Sequence, residues 1–126
     1  MSLKTICIIS LIGSIICSAT AQILIKYFTI NINAVAFSFA ILLKKESLFL
    51  YSALFCYLIA MVTWIIAMIE IPLSVGYPML AVGYIIVFLF AKFVFKEEIG
   101  ILQIIGFTFI LIGVSFLGIK LGLGSK

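Results

Sequence analysis

Charged residues are placed along this chain so that four stretches contain none at all: residues 5–25, 47–69, 71–91 and 99–119, each 21 to 23 residues long. At about 1.5 Å rise per residue, each spans roughly 30 Å as a helix, the thickness of a bilayer hydrocarbon core. The pattern predicts an all-α integral membrane protein with four transmembrane helices, at about 4–26, 47–69, 74–95 and 99–120, forming one membrane domain over residues 1–126. The second and third helices are joined by only Glu70-Ile71-Pro72-Leu73-Ser74, and the third and fourth by Lys96-Glu97-Glu98. Such short connections force antiparallel neighbours. Pro72 stops the second helix and suits the start of the third, where its missing N–H costs little. The first connection, 27–46, is longer. Its apolar middle, 32–43, is too short to cross and either extends a helix or lies in the interface.

Polar and aromatic residues inside the stretches fall on faces. In the first helix Ser14, Ser18, Gln22 and Lys26 recur every four residues, so they share one side and rise about 6 Å per step. A glutamine and a lysine facing lipid are costly, so this side is expected to look toward other helices or a hydrated cavity. The competing reading makes Ser and Gln hydrogen-bonding glue between helices, with Lys26 snorkelling to the interface. In the second helix Tyr57, Met61, Trp64 and Met68 form a stripe, suited either to an adaptable ligand groove or to generic packing. The third carries Tyr77, Tyr84 and Lys92 on one broad face, with Pro78 between Gly76 and Gly83 expected to break or kink it and expose backbone groups. The fourth is nearly apolar. Gly106 and Gly113, with Ile110 and Val114 and with Ser115 and Gly118 close by, form a seam where another helix can approach, the expected dimer contact.

Composition narrows the function classes. With 67% hydrophobic and 10% charged residues, little remains beyond the four spans. The eight lysines are not accompanied by arginine, and no basic stripe interleaved with aromatics exists, which excludes nucleic acid and points to lipid headgroups. Without His or Asp, a GxSxG element or a glycine-rich phosphate loop, hydrolytic, metal-assisted and nucleotide-driven chemistry lack their usual groups. The reading is therefore a non-enzyme with no cofactor and no metal site. Cys7, Cys17 and Cys56 lie in apolar runs without ligand spacing and read as small buried residues. Lys4, the apolar run to Cys17 and Ala19-Thr20-Ala21 imitate a secretory signal, but the apolar character continues through Ile23-Leu24-Ile25, so an intact first helix is expected. Lysines near loops one and three, setting aside Lys26 and Lys92, balance those at the termini three against three, so the positive-inside rule barely selects an orientation. A weak bias permits insertion both ways and an antiparallel dimer.

Three elements together carry a resemblance: Ser18-Ala19-Thr20-Ala21-Gln22 with Lys26 beyond, the run Ile71-Pro72-Leu73-Ser74-Val75-Gly76-Tyr77-Pro78-Met79-Leu80, and the Lys96-Glu97-Glu98 turn followed by Gly106 to Val114. The chain resembles the drug/metabolite transporter superfamily in its four-helix form, over essentially everything but the longer first loop. Within it, two groups are similar: the small multidrug resistance exporters, and the short subunits of the aminoarabinose-undecaprenyl phosphate flippase. The multidrug exporters carry a membrane-embedded glutamate eight residues before the lysine, where this chain has Ser18. A hydroxyl neither titrates near neutral pH nor balances a cation. Ser18, Gln22, Lys26 and the Tyr77-Pro78-Met79-Leu80 run look instead like the flippase subunits.

That resemblance implies a bacterial inner-membrane facilitator for a polyprenyl-phosphate-linked sugar, working as a homodimer or with a paralogous four-helix subunit. The substrate contacts it implies are Ser18, Gln22, Lys26, Tyr57, Trp64, Tyr77, Pro78, Tyr84 and Lys92. The phosphate would go to the lysines, the sugar to Gln22 and the tyrosines, and the apolar tail to lipid. Two other readings stay open: an exporter of small organic cations or metabolites, and a non-transporting membrane subunit. They separate on proton release. Proton-coupled export predicts acid release when substrate binds, whereas a first helix with Ser18 in place of a carboxylate predicts none, as measured with a pH indicator in weakly buffered detergent solution.

Overall fold

The structure is a computed structural model that describes residues 2–31, 45 and 47–123, the last seven of them as helical backbone only. It contains five helices: α1 (Leu3–Asn31), α2 (Ser47–Ala67), α3 (Leu73–Met79), α4 (Ala81–Phe93) and α5 (Ile101–Leu123). α3 and α4 together make one run long and apolar enough to cross a membrane, as α1 and α2 each do, so the described residues form an all-α multi-pass membrane protein in which α5 is the fourth helical segment. The stretch 32–43, expected to be interfacial or helical, lies outside the described residues.

Several helix bounds differ from the charge pattern by a few residues, most of all at the far end of α1. α1 is helical through Asn31, five residues past Lys26, and side chains bond to the backbone of its last described turns. Thr29 Oγ1 donates to the Lys26 carbonyl at 2.8 Å and Asn31 Nδ2 to the Tyr27 carbonyl at 3.0 Å. Tyr27 stacks on Phe49 and meets Phe95 edge-on, with ring centroids 6.1 and 5.0 Å away. At 29 residues α1 is about 43 Å long, more than a hydrocarbon core, so the turns beyond the charge-free stretch extend toward the headgroups. α5 begins at Ile101, where Gln103 Oε1 accepts the Gly100 N–H at 2.8 Å in half of a capping box.

The third crossing breaks at Leu80, as Pro78 led one to expect. Proline has no N–H, so the Ser74 carbonyl loses its i+4 donor, and the Leu80 N–H turns to the Tyr77 carbonyl at 3.1 Å. Pro72 sits before the first turn of α3, and its carbonyl accepts from the N–H groups of Val75 and Gly76 at 2.9 and 3.0 Å.

Packing is concentrated between α1 and α2. Ser14 Oγ donates to the Ala60 carbonyl at 3.0 Å, and Cys7 Sγ lies 3.4 Å from the Ile66 carbonyl. The pairings run in opposite directions along the two helices, which are therefore antiparallel. On α2 the contact surface is Ala53, Ala60 and Ala67, seven residues apart and all buried. Lipid tails are as apolar as leucine, so close backbone approach and interhelical hydrogen bonds hold such a pair rather than water exclusion. Around this seam Leu11, Ile15, Ile71 and Val75 form the buried cluster, with Trp64, Met68 and Leu80 against it. α4 packs parallel to α1. Gly83 lies so close that a Cβ there would come 3.2 Å from Ile15 Cγ2. α5 leans on α3 and α4, with the Phe88 and Phe107 rings stacked at 4.6 Å. Most large apolar side chains point outward, with Leu102 84% and Phe109 71% exposed, as suits a lipid-facing surface.

The two contact types respond differently to added volume. Ala60→Leu and Gly83→Val overpack α1 and are expected to lower stability by about 1–3 kcal/mol, whereas Gly113→Ala, with nothing within 4 Å of its Cβ, is expected to leave it unchanged. Thermal unfolding in detergent checks both, and equal melting temperatures for all three variants would contradict this packing.

Candidate functional site

The polar side of α1 faces a cleft, not lipid. Between α1, α2 and the broken crossing lies an open cavity of about 310 Å³. From α1 it is lined by Ser14, Ser18, Ala19 and Gln22, from α2 by Tyr57, Ala60, Met61 and Trp64, and from the broken crossing by Tyr77, Leu80, Gly83 and Tyr84. Spacing explains the convergence. The α1 polar residues step by four, so they stay on one side. The α2 aromatic stripe flanks the alanine seam, so docking Ala60 on Ser14 brings Tyr57 and Trp64 to the rim. On the other wall, Leu80 bends the chain while Gly83 lets α4 approach α1, which carries Tyr77 and Tyr84 to the opening. Trp64 and Tyr77 close one side edge-to-face, ring centroids 5.4 Å apart. Gly76 permits this, since a Cβ there would meet Met68 Cε at 2.5 Å and Trp64 Cη2 at 3.4 Å.

None of the twelve lining residues is charged. Ser14 and Ser18 spend their protons inside the protein, Ser14 on the Ala60 carbonyl and Ser18 on the Ile15 carbonyl at 3.0 Å. Among the described residues the Gln22 amide and the phenol oxygens of Tyr57, Tyr77 and Tyr84 have no hydrogen-bond partner. An unpaired amide at membrane depth is a group waiting for a polar ligand or water.

Gln22 also lines a second cavity of about 360 Å³, one turn further along α1, with Lys26, Thr29, Val87, Ala91, Phe95 and Glu97. Here Lys26 Nζ lies 2.7 Å from Glu97 Oε1, with the two side chains 46% and 44% exposed. The turn after α4 presents the carboxylate: Lys96 adopts φ 53°, and the Glu97 N–H reaches back to the Ala91 carbonyl at 3.0 Å. A left-handed lysine is uncommon and strained, so the turn holds that geometry against its local preference.

Of the residues expected from sequence, Ser18, Gln22, Tyr57, Trp64, Tyr77 and Tyr84 meet in the cleft. Lys26 stands at its neighbouring cavity. Pro78 makes the break without lining the cleft. Lys92 is apart from both cavities, exposed and 5.9 Å from the centroid of the Phe93 ring. Eight residues beyond Tyr84 turn a helix by about 80° past two full turns, so the shared face does not extend that far. Ser14, on the polar face expected to meet a cavity, lines the cleft as well, and Glu97 is the charged residue the sequence did not single out. Topology offered a signal for Glu97, because the end of the first helix and the turn between the last two lie on the same side of a four-span bundle. In α5, Gly106 and Ile110 line a third cavity of about 370 Å³ beside α4, Gly113 is open, and Val114 is buried within the protomer.

Among curated proteins, the chain is 36% identical over 75 residues to a probable 4-amino-4-deoxy-L-arabinose-phosphoundecaprenol flippase subunit ArnE of Pseudomonas fluorescens, covering 60% of this chain and 66% of the relative, just under two thirds. It is 29% identical over 119 residues to a probable subunit ArnF of the same flippase from Aeromonas hydrophila, covering 91% of this chain and 81% of the relative. With the ArnF of Aeromonas salmonicida it shares 30% identity over 113 residues, 86% of this chain and 76% of the relative. No family model matches the chain, and no solved structure matches it.

A half-exposed ion pair contributes little to folding. Lys26→Met and Glu97→Gln are each expected to change stability by under about 1 kcal/mol, read as a small shift in thermal unfolding. A loss of several kcal/mol in either would make the pair a structural fixture.

Proposed function

The chain belongs to the family of the 4-amino-4-deoxy-L-arabinose-phosphoundecaprenol flippase subunits ArnE and ArnF, and from that premise we propose that it is a subunit of a transporter carrying a polyprenyl-phosphate-linked aminosugar between the leaflets of a bacterial inner membrane. The observation that carries this reading is the position of Gln22, which lines both the neutral aromatic cleft and the cavity of Lys26. A lipid-linked sugar has three parts in a fixed order: a sugar, a phosphodiester attached directly to it, and a long apolar tail. The site has matching parts in the same order. Aromatic faces and free phenol and amide groups suit a sugar, stacking on its C–H surface and pairing with its hydroxyls. An ammonium group lies one helical turn away, about 6 Å, within reach of the attached phosphate. The cleft is open on one side, so the tail stays in lipid between helices.

The lining supplies no carboxylate for proton exchange with a cation, which favours a facilitator whose flux follows the lipid gradient. Alternating access then requires a second wall that moves against the first, as in transporters built from paired repeats around a midplane site. We assign that wall to a second four-helix protomer, a copy of this chain or a paralogous subunit. The exposed stripe of Gly106, Ile110 and Gly113 on α5 is the surface offered to it, while Val114 serves the protomer's own packing.

Lys26→Met is expected to reduce translocation of the lipid-linked aminosugar in reconstituted vesicles by about tenfold or more, the effect of one charge-assisted contact. Lys92→Met is expected to leave it nearly unchanged. Unchanged flux in Lys26→Met would refute the phosphate role, and native mass spectrometry of the protein extracted with its lipids is expected to retain a polyprenyl phosphate adduct.

A further inference from the structure

The Lys26–Glu97 pair has a property that a simple phosphate hook lacks: it is a cation and an anion held together at the mouth of an otherwise uncharged cleft. Both side chains are nearly half exposed, and a pair of this kind is worth about 0–1 kcal/mol to the fold. Its charges are therefore cheap to redeploy. Glu97 also faces two cavities, the one it shares with Lys26 and Gln22 and the one between α4 and α5. Released from Lys26, its carboxylate has open space on either side. Its neighbour Glu98 lines the α4–α5 cavity and not the one with Lys26, and Glu70 lies beyond the far end of α2, across the membrane from this mouth.

Consider what such a pair accepts. A ligand with a phosphodiester alone would engage Lys26 and leave the Glu97 carboxylate unpaired beside a second anion, a repulsive arrangement that disfavours such a ligand. A head group carrying both a phosphodiester and an ammonium exchanges ion pairs one for one, so no charge is left without a partner at any stage. Resting on the flippase reading above, we propose that Lys26 and Glu97 form an exchange pair for a zwitterionic aminosugar phosphate. In the empty protein they neutralise each other. In the loaded protein Lys26 turns to the phosphate and Glu97 to the sugar ammonium, which makes Glu97 the residue that selects for a free amine. The left-handed Lys96 serves this role by fixing the turn from which Glu97 reaches the mouth.

Two lipid probes test this with the full chain in lipid nanodiscs: a polyprenyl phosphate bearing 4-amino-4-deoxyarabinose, and the same lipid with its amine N-acetylated and so uncharged. Wild type is expected to bind the free-amine lipid about tenfold more tightly, the discrimination of one charge-assisted contact. Glu97→Gln is expected to bring the two affinities within about twofold of each other, and Lys26→Met to weaken both. The swapped variant, Lys26→Glu with Glu97→Lys, is expected to keep the wild-type melting temperature and to lose the preference for the amine. A wild type indifferent to acetylation would overturn the exchange pair, as would a preference that survives Glu97→Gln or returns in the swapped variant, which would mark the pair as merely structural. A wild type that binds neither lipid overturns the flippase reading itself, a different result from lost discrimination.

Discussion

The antiparallel contact of α1 with α2 is the constraint on which the rest of the protein depends. Its centre is Ser14 donating to the Ala60 carbonyl, set in a seam of Ala53, Ala60 and Ala67. In lipid, apolar side chains gain nothing by leaving one apolar surface for another, so helices adhere where small residues let backbones touch and a polar group finds a partner. This seam does both. It also fixes rotation about each axis: with Ala60 against Ser14, Gln22 must face the same side as Tyr57 and Trp64, and that shared side is the cleft.

Against this rigid pair, the third crossing is built to bend. Pro78 removes a backbone donor, Leu80 closes a tighter turn, and Gly76 and Gly83 admit the two halves against Met68 and Ile15. The break brings Tyr77 and Tyr84 to one opening although the chain changes direction between them. A straight helix would have kept its backbone groups fully paired and its glycines without purpose. The bend beside the cleft is also where the chain can change shape at small cost, because fewer backbone hydrogen bonds hold it.

Charge is used sparingly and at the edge. The cleft is neutral, and the ionised groups nearest to it are paired at its mouth, half in contact with water or headgroups. Full burial of the same pair would carry a desolvation cost of several kcal/mol per ion. Keeping it at the rim lets the charges act on a ligand and still compensate each other when none is bound. α5 stands outside this arrangement. It leans on α3 and α4, leaves Gly106 and Gly113 uncovered and takes no part in lining the cleft.

Charge spacing alone determined that this chain crosses a membrane four times, because a bilayer sets the length of an uncharged run. Periodicity determined which residues share a face within one helix, and Pro78 where the third crossing breaks. Tertiary structure decided everything that depends on which neighbour a face meets. A period fixes an angle about a helix's own axis and carries no information about the next helix. Lys92 thus looked equivalent to Tyr84 and lies apart from the cleft, while Val114 looked like part of an outer seam and packs inward. The alanines of α2 are unremarkable in a chain this apolar until Ser14 is seen to bond across them. Lys26 read as a free cation ending a helix. Only the folded chain, with α1 prolonged to Asn31 and the turn after α4 curled beside it, shows that this lysine already holds an anion.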